Sequence, residues 1–390
     1  MKLKIALIID KFDYRMGGAE RYARDLAEGL VREGHEIHVF CRRGQSSREG
    51  IVVHLIPAIT YPKYLRLLTF VRGVRKHLNK DDFDIVHGLG YNPGVTVLNP
   101  HTGVEQSWIE GDDQSRESSA ALLWARLVRF LTPRRHLILS LQRRQYRDSG
   151  VRAVIAISEK VKSDMMRFHP VDDDRIEVIN NGIDIQRFNP KNRDRYREAA
   201  RNKLGLATDE ILILTVTNNF RLKGIYPAVR MLPALMKRVK VPFRLLIVGR
   251  DDSGPYQRQA ERLAVSDRVV FMNYVEDVAP LYAAADIFFL PTFYDSFALV
   301  ALEAIASGLP VVTTKNAGAA AVIESRDMGW VVDDPRDHEA LAEALSYYFS
   351  REAQTKAYAA AGKIYTRFSS TENIRRIQEV YRRVLSQRQG

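Results

Sequence analysis

Asp295 and Glu303 stand eight residues apart in Thr292-Phe-Tyr-Asp-Ser-Phe-Ala-Leu-Val-Ala-Leu-Glu303, a segment that runs on through Gly308-Leu-Pro310. The apolar run before Asp295 reads as a strand over Ile287 to Leu290, and the residues after it read as a helix. That places Asp295 in the connecting loop and Glu303 about two turns into the helix, so both carboxylates can border one cleft at the carboxyl end of a strand. Between them, Ser296, Phe297, Ala298 and Leu299 are expected to form the helix N-terminus, where unpaired N–H groups and the positive end of the dipole favour a phosphate. A phosphate flanked by hydroxyl groups held by carboxylates is the shape of a sugar nucleotide. An acidic helix start followed by a surface Glu gives the same spacing, so other segments must decide between the two readings.

Two further loops supply matching chemistry. In Thr217-Asn-Asn-Phe-Arg-Leu-Lys-Gly224, Arg221 and Lys223 follow a likewise strand-like run, Ile211 to Val216, and could neutralise a diphosphate near its leaving oxygen. Phe12-Asp-Tyr-Arg-Met-Gly-Gly-Ala-Glu-Arg21 lies between the first strand and a helix, and Gly17 and Gly18 would let the backbone approach a ligand closely. This loop is neither a G-x-G-x-x-G dinucleotide fingerprint nor a Walker A loop. His101, in Asn99-Pro-His-Thr-Gly103, is a loop histidine that could contact a sugar hydroxyl or an acceptor. Neither a Ser/His/Asp constellation nor a metal-spaced cluster of His and acids is evident, so no protein nucleophile or bound metal is expected.

Composition sets the frame for these loops. The 390 residues suffice for two well-packed domains, and 46% hydrophobic with 27% charged residues is globular. A single cysteine, Cys41, forms no disulfide framework and reads as a buried residue at a strand end. A net charge of +12 implies attraction to polyanions: an anionic lipid surface, a phosphorylated acceptor or nucleic acid. Nucleic acid is disfavoured, because zinc-finger spacing, an aromatic RNA-binding signature and a long basic tail are all missing. The opening Met1-Lys-Leu-Lys-Ile-Ala-Leu-Ile-Ile-Asp10 is too short for a signal peptide and reads as a first buried strand. No stretch approaches the roughly 20 apolar residues of a spanning helix, so the chain is expected in the cytoplasm, peripheral to the inner face of the cytoplasmic membrane.

Short β-rich runs alternate with amphipathic stretches throughout, the pattern of α/β parallel sheets covered by helices. One series runs from Ile5 to Ile179 and a second from Ile211 to Val332. The turn-forming Asn181-Gly182 and Pro190 bracket irregular chain between them. This predicts a domain over 1–179, a second over 180–370 and a final helix over 371–390. Tyr61 to Lys80 holds six cations and no acid among apolar residues, and Leu122 to Arg147 is a second basic and apolar zone. Both suit an anionic membrane interface.

Taken together, the Gly-Gly-Ala-Glu loop, Asn181-Gly-Ile-Asp184, Lys223-Gly224, Val269 to Val275 and Asp295 to Pro310 resemble the retaining glycosyltransferases of family 4. Phe293-Tyr-Asp-Ser-Phe297 is most similar to bacterial lipopolysaccharide core glucosyltransferases. The resemblance implies the GT-B fold: two Rossmann-like, doubly wound domains facing a central cleft, acceptor on the first and sugar nucleotide on the second, with the last helix crossing back to the first. It implies a metal-independent, retaining hexosyltransferase without cofactor. The donor would be a sugar nucleotide, UDP-sugar favoured and GDP-mannose the other candidate, and the acceptor lipid-linked or a polysaccharide such as lipopolysaccharide core.

Carried to this chain, the resemblance gives Glu303 the donor ribose, Asp295 the donor-sugar hydroxyls, and Lys223 with Arg221 the diphosphate. Ser296 to Leu299 would contact phosphate and sugar, Tyr274 and Val275 would border the base, and Gly17-Gly18 would close from the opposite side. Asp295 departs from the family, which has Glu there; its side chain is one methylene shorter. The alternatives are a GT-B sugar-nucleotide epimerase and a noncatalytic sugar-nucleotide or polyanion-binding protein.

Overall fold

Strands buried on both faces are written as unbroken apolar runs, and this chain has many: Lys4-Ile-Ala-Leu-Ile8, Ala153-Val-Ile-Ala156, Ile287-Phe-Phe-Leu290. The structure is a computed structural model and describes residues 2–13, 18–46 and 48–389. It divides into two units. The first takes in Met1–Asp113, Glu117–Gly182 and Ser370–Gly390, the second Gln114–Arg116 and Ile183–Ser369.

In the first unit, β1 (Lys4–Ile8), β3 (Glu36–Cys41), β5 (Ile51–Leu55), β6 (Ile85–Gly88), β7 (Val97–Leu98), β8 (Ala153–Ala156) and β9 (Ile176–Val178) form one parallel sheet of order β5-β3-β1-β6-β7-β8-β9. A short pair, β2 (Lys11–Phe12) and β4 (Arg43–Gly44), extends the ends of β1 and β3. The connecting helices are α1 (Gly18–Arg32), α2 (Lys63–His77), α3 (Glu105–Gln114), α4 (Ser119–Leu131), α5 (Pro133–Arg147) and α6 (Glu159–Phe168). The zone over 122–147 is therefore two helices, parted at Thr132, where Pro133 cannot continue a helix but can begin one.

The second unit orders β10 (Ile211–Val216), β11 (Phe243–Val248), β12 (Val269–Met272), β13 (Ile287–Leu290), β14 (Val311–Thr314) and β15 (Gly329–Val332) as β12-β11-β10-β13-β14-β15, all parallel. Around it lie α7 (Asn192–Lys203), α8 (Ile225–Arg230), α9 (Leu232–Arg238), α10 (Gly254–Arg262), α11 (Ala279–Ala284), α12 (Leu299–Ala306), α13 (His338–Tyr347), α14 (Arg351–Ala360) and α15 (Gly362–Phe368). Strand order reverses between β10 and β13. The loops leaving those two strands part there, which makes their carboxyl ends the crevice in which such sheets bind ligands.

The final helix, α16 (Ser370–Gln389), belongs to the core of the first unit. Its Ile374, Ile377, Tyr381 and Val384 pack with Tyr22, Leu26 and Leu30 of α1 and with the sheet. Two buried polar contacts register it: the Tyr22 hydroxyl donates to Asn373 Oδ1 at 3.2 Å, and the Tyr381 hydroxyl pairs with His87 Nδ1 at 2.7 Å.

Candidate functional site

Lys223, in the loop after β10, and Asp295, in the loop after β13, meet at the switch point of the second sheet. Lys223 Nζ donates to Asp295 Oδ2 at 2.6 Å and to the Tyr294 carbonyl at 2.9 Å. The pair is half-buried, with 15% and 17% of the two side chains exposed. Gly224 permits this approach: its φ is 77°, and a Cβ there would lie 1.8 Å from the Pro291 carbonyl oxygen. The ammonium has three N–H donors, and two are spent within the protein. Arg221 lies two residues earlier in the same loop, half-buried, and its carbonyl accepts the Gly224 N–H at 3.2 Å.

The other carboxylate oxygen of Asp295 accepts from the amides of Phe297, at 3.1 Å, and Ala298, at 2.7 Å. This corrects the expected helix N-terminus. Helix α12 begins at Leu299, not at Ser296, and Glu303 therefore lies little more than one turn inside it. Ser296 to Ala298 form a turn in which Asp295 occupies the Phe297 and Ala298 amides. Ala298 takes a left-handed conformation, φ 66° and ψ 62°, which costs a residue with a Cβ about 1–2 kcal/mol. Surrounding bonds impose it: Asp295 N–H to the Asn316 carbonyl at 3.0 Å, Gly318 N–H to the Asp295 carbonyl at 2.9 Å, and Ala319 N–H to the Phe297 carbonyl at 2.6 Å.

Glu303 is buried on α12, with 4% exposed, and the Tyr282 hydroxyl of α11 lies 3.2 Å from its Oε2 and 3.1 Å from the Val300 carbonyl. Tyr282 fixes its rotamer, a partner that sequence spacing did not identify. Threonines at the strand ends were also missed. Thr215 donates to the Phe289 carbonyl at 2.6 Å, Thr313 to Leu290 at 2.7 Å and Thr314 to Thr292 at 2.6 Å. These hydroxyls lace β10, β13 and β14 together just below the loops. Tyr274 and Val275 lie at the carboxyl end of β12, and the Arg250 guanidinium stands 3.8 Å over the Tyr274 ring.

In the first unit, Gly17 lies outside the described residues, while Gly18 opens α1. His101 follows β7 and packs on α1 one turn further along, its ring centroid 4.0 Å from that of Tyr22. Burial, with the neighbouring His87 adding to it, pushes the His101 imidazole down to about 3. At neutral pH it is uncharged, a hydrogen-bonding group rather than a general acid. Among the described residues no three His, Cys, Asp or Glu side chains gather to hold a metal ion, and no helix is long and apolar enough to cross a membrane.

A family model described as "Glycosyl transferases group 1" matches residues 196–364, and one described as "Glycosyltransferase Family 4" matches residues 16–187. The chain is 24% identical to the lipopolysaccharide glucosyltransferase WaaG of Escherichia coli (strain K12), over 93% of each sequence. It is 29% identical to the D-inositol 3-phosphate glycosyltransferase of Xylanimonas cellulosilytica, covering 95% of this chain and 93% of that one. Its fold matches the crystal structure of WaaG, a glycosyltransferase involved in lipopolysaccharide biosynthesis, with a TM-score of 0.78 across 95% and 97% of the two chains at 24% identity. Anabaena Alr3699/HepE in complex with UDP and glucose matches with a TM-score of 0.71 across 97% and 99% at 19% identity. The architecture is GT-B.

Two predictions follow from these contacts. Asp295→Glu, which restores the residue usual in the resembling family, pushes the carboxylate past the Phe297 and Ala298 amides; a stability loss of about 1–2 kcal/mol is expected, read by urea denaturation, and an unchanged midpoint would contradict the turn's dependence on Asp. Burial also holds His87 down to about 3 and His169 to about 4. The unfolded chain takes up these protons at about pH 6.5 and the folded chain does not, so stability is expected to fall as pH drops from about 6.5 towards 4. Melting temperatures across that range test this, and His101→Gln should flatten the slope.

Proposed function

The chain belongs to the glycosyltransferases of family 4, and from that premise we propose that it is a retaining enzyme that moves a hexose from a sugar nucleotide to a lipid-linked or polysaccharide acceptor. A UDP-sugar is the favoured donor, with GDP-mannose the other candidate, and lipopolysaccharide core is the model acceptor. The observation that carries the reading is the Lys223–Asp295 pair at the switch point, with one ammonium N–H unspent among the described residues and the start of α12 beside it. Relatives with 93% mutual coverage and a neighbour bound to UDP and glucose support the donor class.

In this reading Lys223, with Arg221 and the dipole of α12, neutralises the diphosphate as the bond from the sugar C1 to the phosphate oxygen breaks. The acceptor oxygen forms its bond to C1 on the same face and passes its proton to the departing phosphate oxygen. Glu303, its rotamer set by Tyr282, takes the ribose; Asp295 borders the donor sugar; Tyr274 and Val275 border the base; Ser296, Phe297, Ala298 and Leu299 line the phosphate and sugar. Gly17 and Gly18 are assigned to donor binding, and His101, neutral, to a sugar hydroxyl or the acceptor. The positive field comes from protein groups, so the reaction proposed has no metal and no cofactor.

The chain is further proposed to work at the inner face of the cytoplasmic membrane, bound to anionic lipid. Both basic zones contribute, in different ways. On α2 the apolar Phe70, Val71 and Val74 are buried, while Arg72, Arg75 and Lys76 are exposed, so this helix offers charge. On α4 the order is reversed: Ala125 is buried, and Leu123, Trp124, Leu127, Val128, Phe130 and Leu131 are exposed, Trp124 by 67% and Phe130 by 70%. Neither α4 nor α5 contains an acidic residue. Apolar side chains on α4 together with the exposed Arg143, Arg144 and Arg147 of α5 have the composition of an interfacial helix.

Lys223→Ala is expected to lower kcat roughly 100-fold or more while raising the donor KM far less, in steady-state assays with the donor found by thermal-shift screening. A rise in KM alone contradicts the leaving-group role, and turnover of the sugar nucleotide without acceptor would identify an epimerase instead. Replacing Trp124 and Phe130 together by Ser should weaken cosedimentation with phosphatidylglycerol vesicles, on the order of tenfold for each residue. Unchanged partitioning defeats membrane docking through α4.

A further inference from the structure

Building on the donor-site reading above, we propose that Arg250 reads the nucleobase and makes the site selective for a base with ring carbonyl oxygens, uracil or guanine, over adenine. Arg250 follows Gly249 at the carboxyl end of β11, and Tyr274 occupies the corresponding end of the adjacent β12. The guanidinium carbon stands 3.8 Å from the centroid of the tyrosine ring, a cation–π contact that holds the cation at this place. Its backbone is tethered as well: the Arg250 N–H donates to Asn218 Oδ1 at 3.2 Å, and a Cβ on Gly249 would lie 2.0 Å from the Thr217 carbonyl oxygen.

The local charges single this arginine out. Two aspartates follow it directly, yet neither pairs with it. Asp251 Oδ2 accepts the Phe220 N–H at 2.7 Å and Asp252 Oδ1 accepts the Gly254 N–H at 2.9 Å. Among the described residues the Arg250 guanidinium makes no hydrogen bond and no ion pair, so its donors are unspent and its contact is with a ring. A guanidinium carries only donors, so it pairs with acceptor atoms and opposes a donor set against it.

The position fits the rest of the site. β12 and β13 are three strand spacings apart, roughly 14 Å, with the phosphate loops at β10 and β13 and the Arg250–Tyr274 pair at β11 and β12. Uracil presents carbonyl oxygens and guanine presents O6 beside N7, whereas adenine presents an amino group there, a donor facing a donor. The guanidinium thus favours the first two and opposes the third.

Competition binding with UDP, GDP and ADP tests this directly. Wild-type protein is expected to bind UDP or GDP at least about tenfold more tightly than ADP, with Arg250→Ala reducing that ratio to within about twofold and Arg250→Lys giving an intermediate value. Tyr274→Ala, which releases the guanidinium, should reduce the ratio as well, while Tyr274→Phe should keep it. Equal binding of the three diphosphates by wild type, or an equal loss for all three in Arg250→Ala, overturns the inference. Glu303→Ala, at the proposed ribose contact common to all three nucleotides, separates it from the reading beneath it. If that change weakens all three alike and Arg250→Ala leaves the ratio untouched, only base reading by Arg250 fails; if Glu303→Ala weakens none, the donor site itself fails.

Discussion

Lys223 and Asp295 join two loops that the topology would otherwise let part. The strands beneath them, β10 and β13, are neighbours, but their connections leave to opposite sides of the sheet. A half-buried ion pair gains from Coulomb attraction only when the remaining valences of both ions are satisfied. Here Asp295 receives the ammonium and two backbone amides, and Lys223 receives the carboxylate and a carbonyl. Much else follows from the contact. Gly224 has no Cβ because Pro291 occupies its place, Ala298 accepts a left-handed backbone because the amides around it are taken, and α12 starts where that turn ends.

The same pair limits what the site can do with charge. Lys223 and Asp295 sum to zero, and a diphosphate approaching a neutral pair meets little net attraction. A positive field has to come from elsewhere, and the fold supplies two sources near the pair: Arg221 on the same loop and the first amides of α12. On the proposed reading the ion pair adds little attraction for the bound diphosphate and serves geometry: it holds one ammonium N–H at a fixed point, ready to neutralise charge as it develops on a leaving oxygen.

The strands were readable because a parallel sheet demands continuous apolar runs, and Ile211 to Val216, Val269 to Met272 and Ile287 to Leu290 supply them. Val97–Leu98 was too short to signal a strand, though it lies in the middle of the first sheet and its hydrogen bonds determine where His101 emerges. The acids and cations of the candidate site could be picked from their loops, but not their mutual arrangement. Lys223 and Asp295 are 72 residues apart in sequence, and the start of α12 was misplaced because Asp295 caps the preceding turn. Arg250 gave no signal, since a cation followed by two acids reads as a solvated, self-paired surface. That those acids bond backbone amides is decided by loop geometry. The apolar faces of α2 and α4 were equally visible in the sequence; packing decided which one stays exposed.

Asp295 illustrates why a residue can look like chemistry and also be construction. An aspartate accepts from amides two and three residues ahead because its carboxylate is one methylene from the backbone, the reach of an Asx turn. A glutamate at the same place extends past those amides. The choice of Asp thus trades reach for rigidity. One oxygen is committed to the turn, and the other, bound to Lys223, is the one left with capacity to accept from a ligand hydroxyl. On the proposed reading the donor sugar brings a hydroxyl to that oxygen, and the contact that holds the loops together then also bears on which sugar fits.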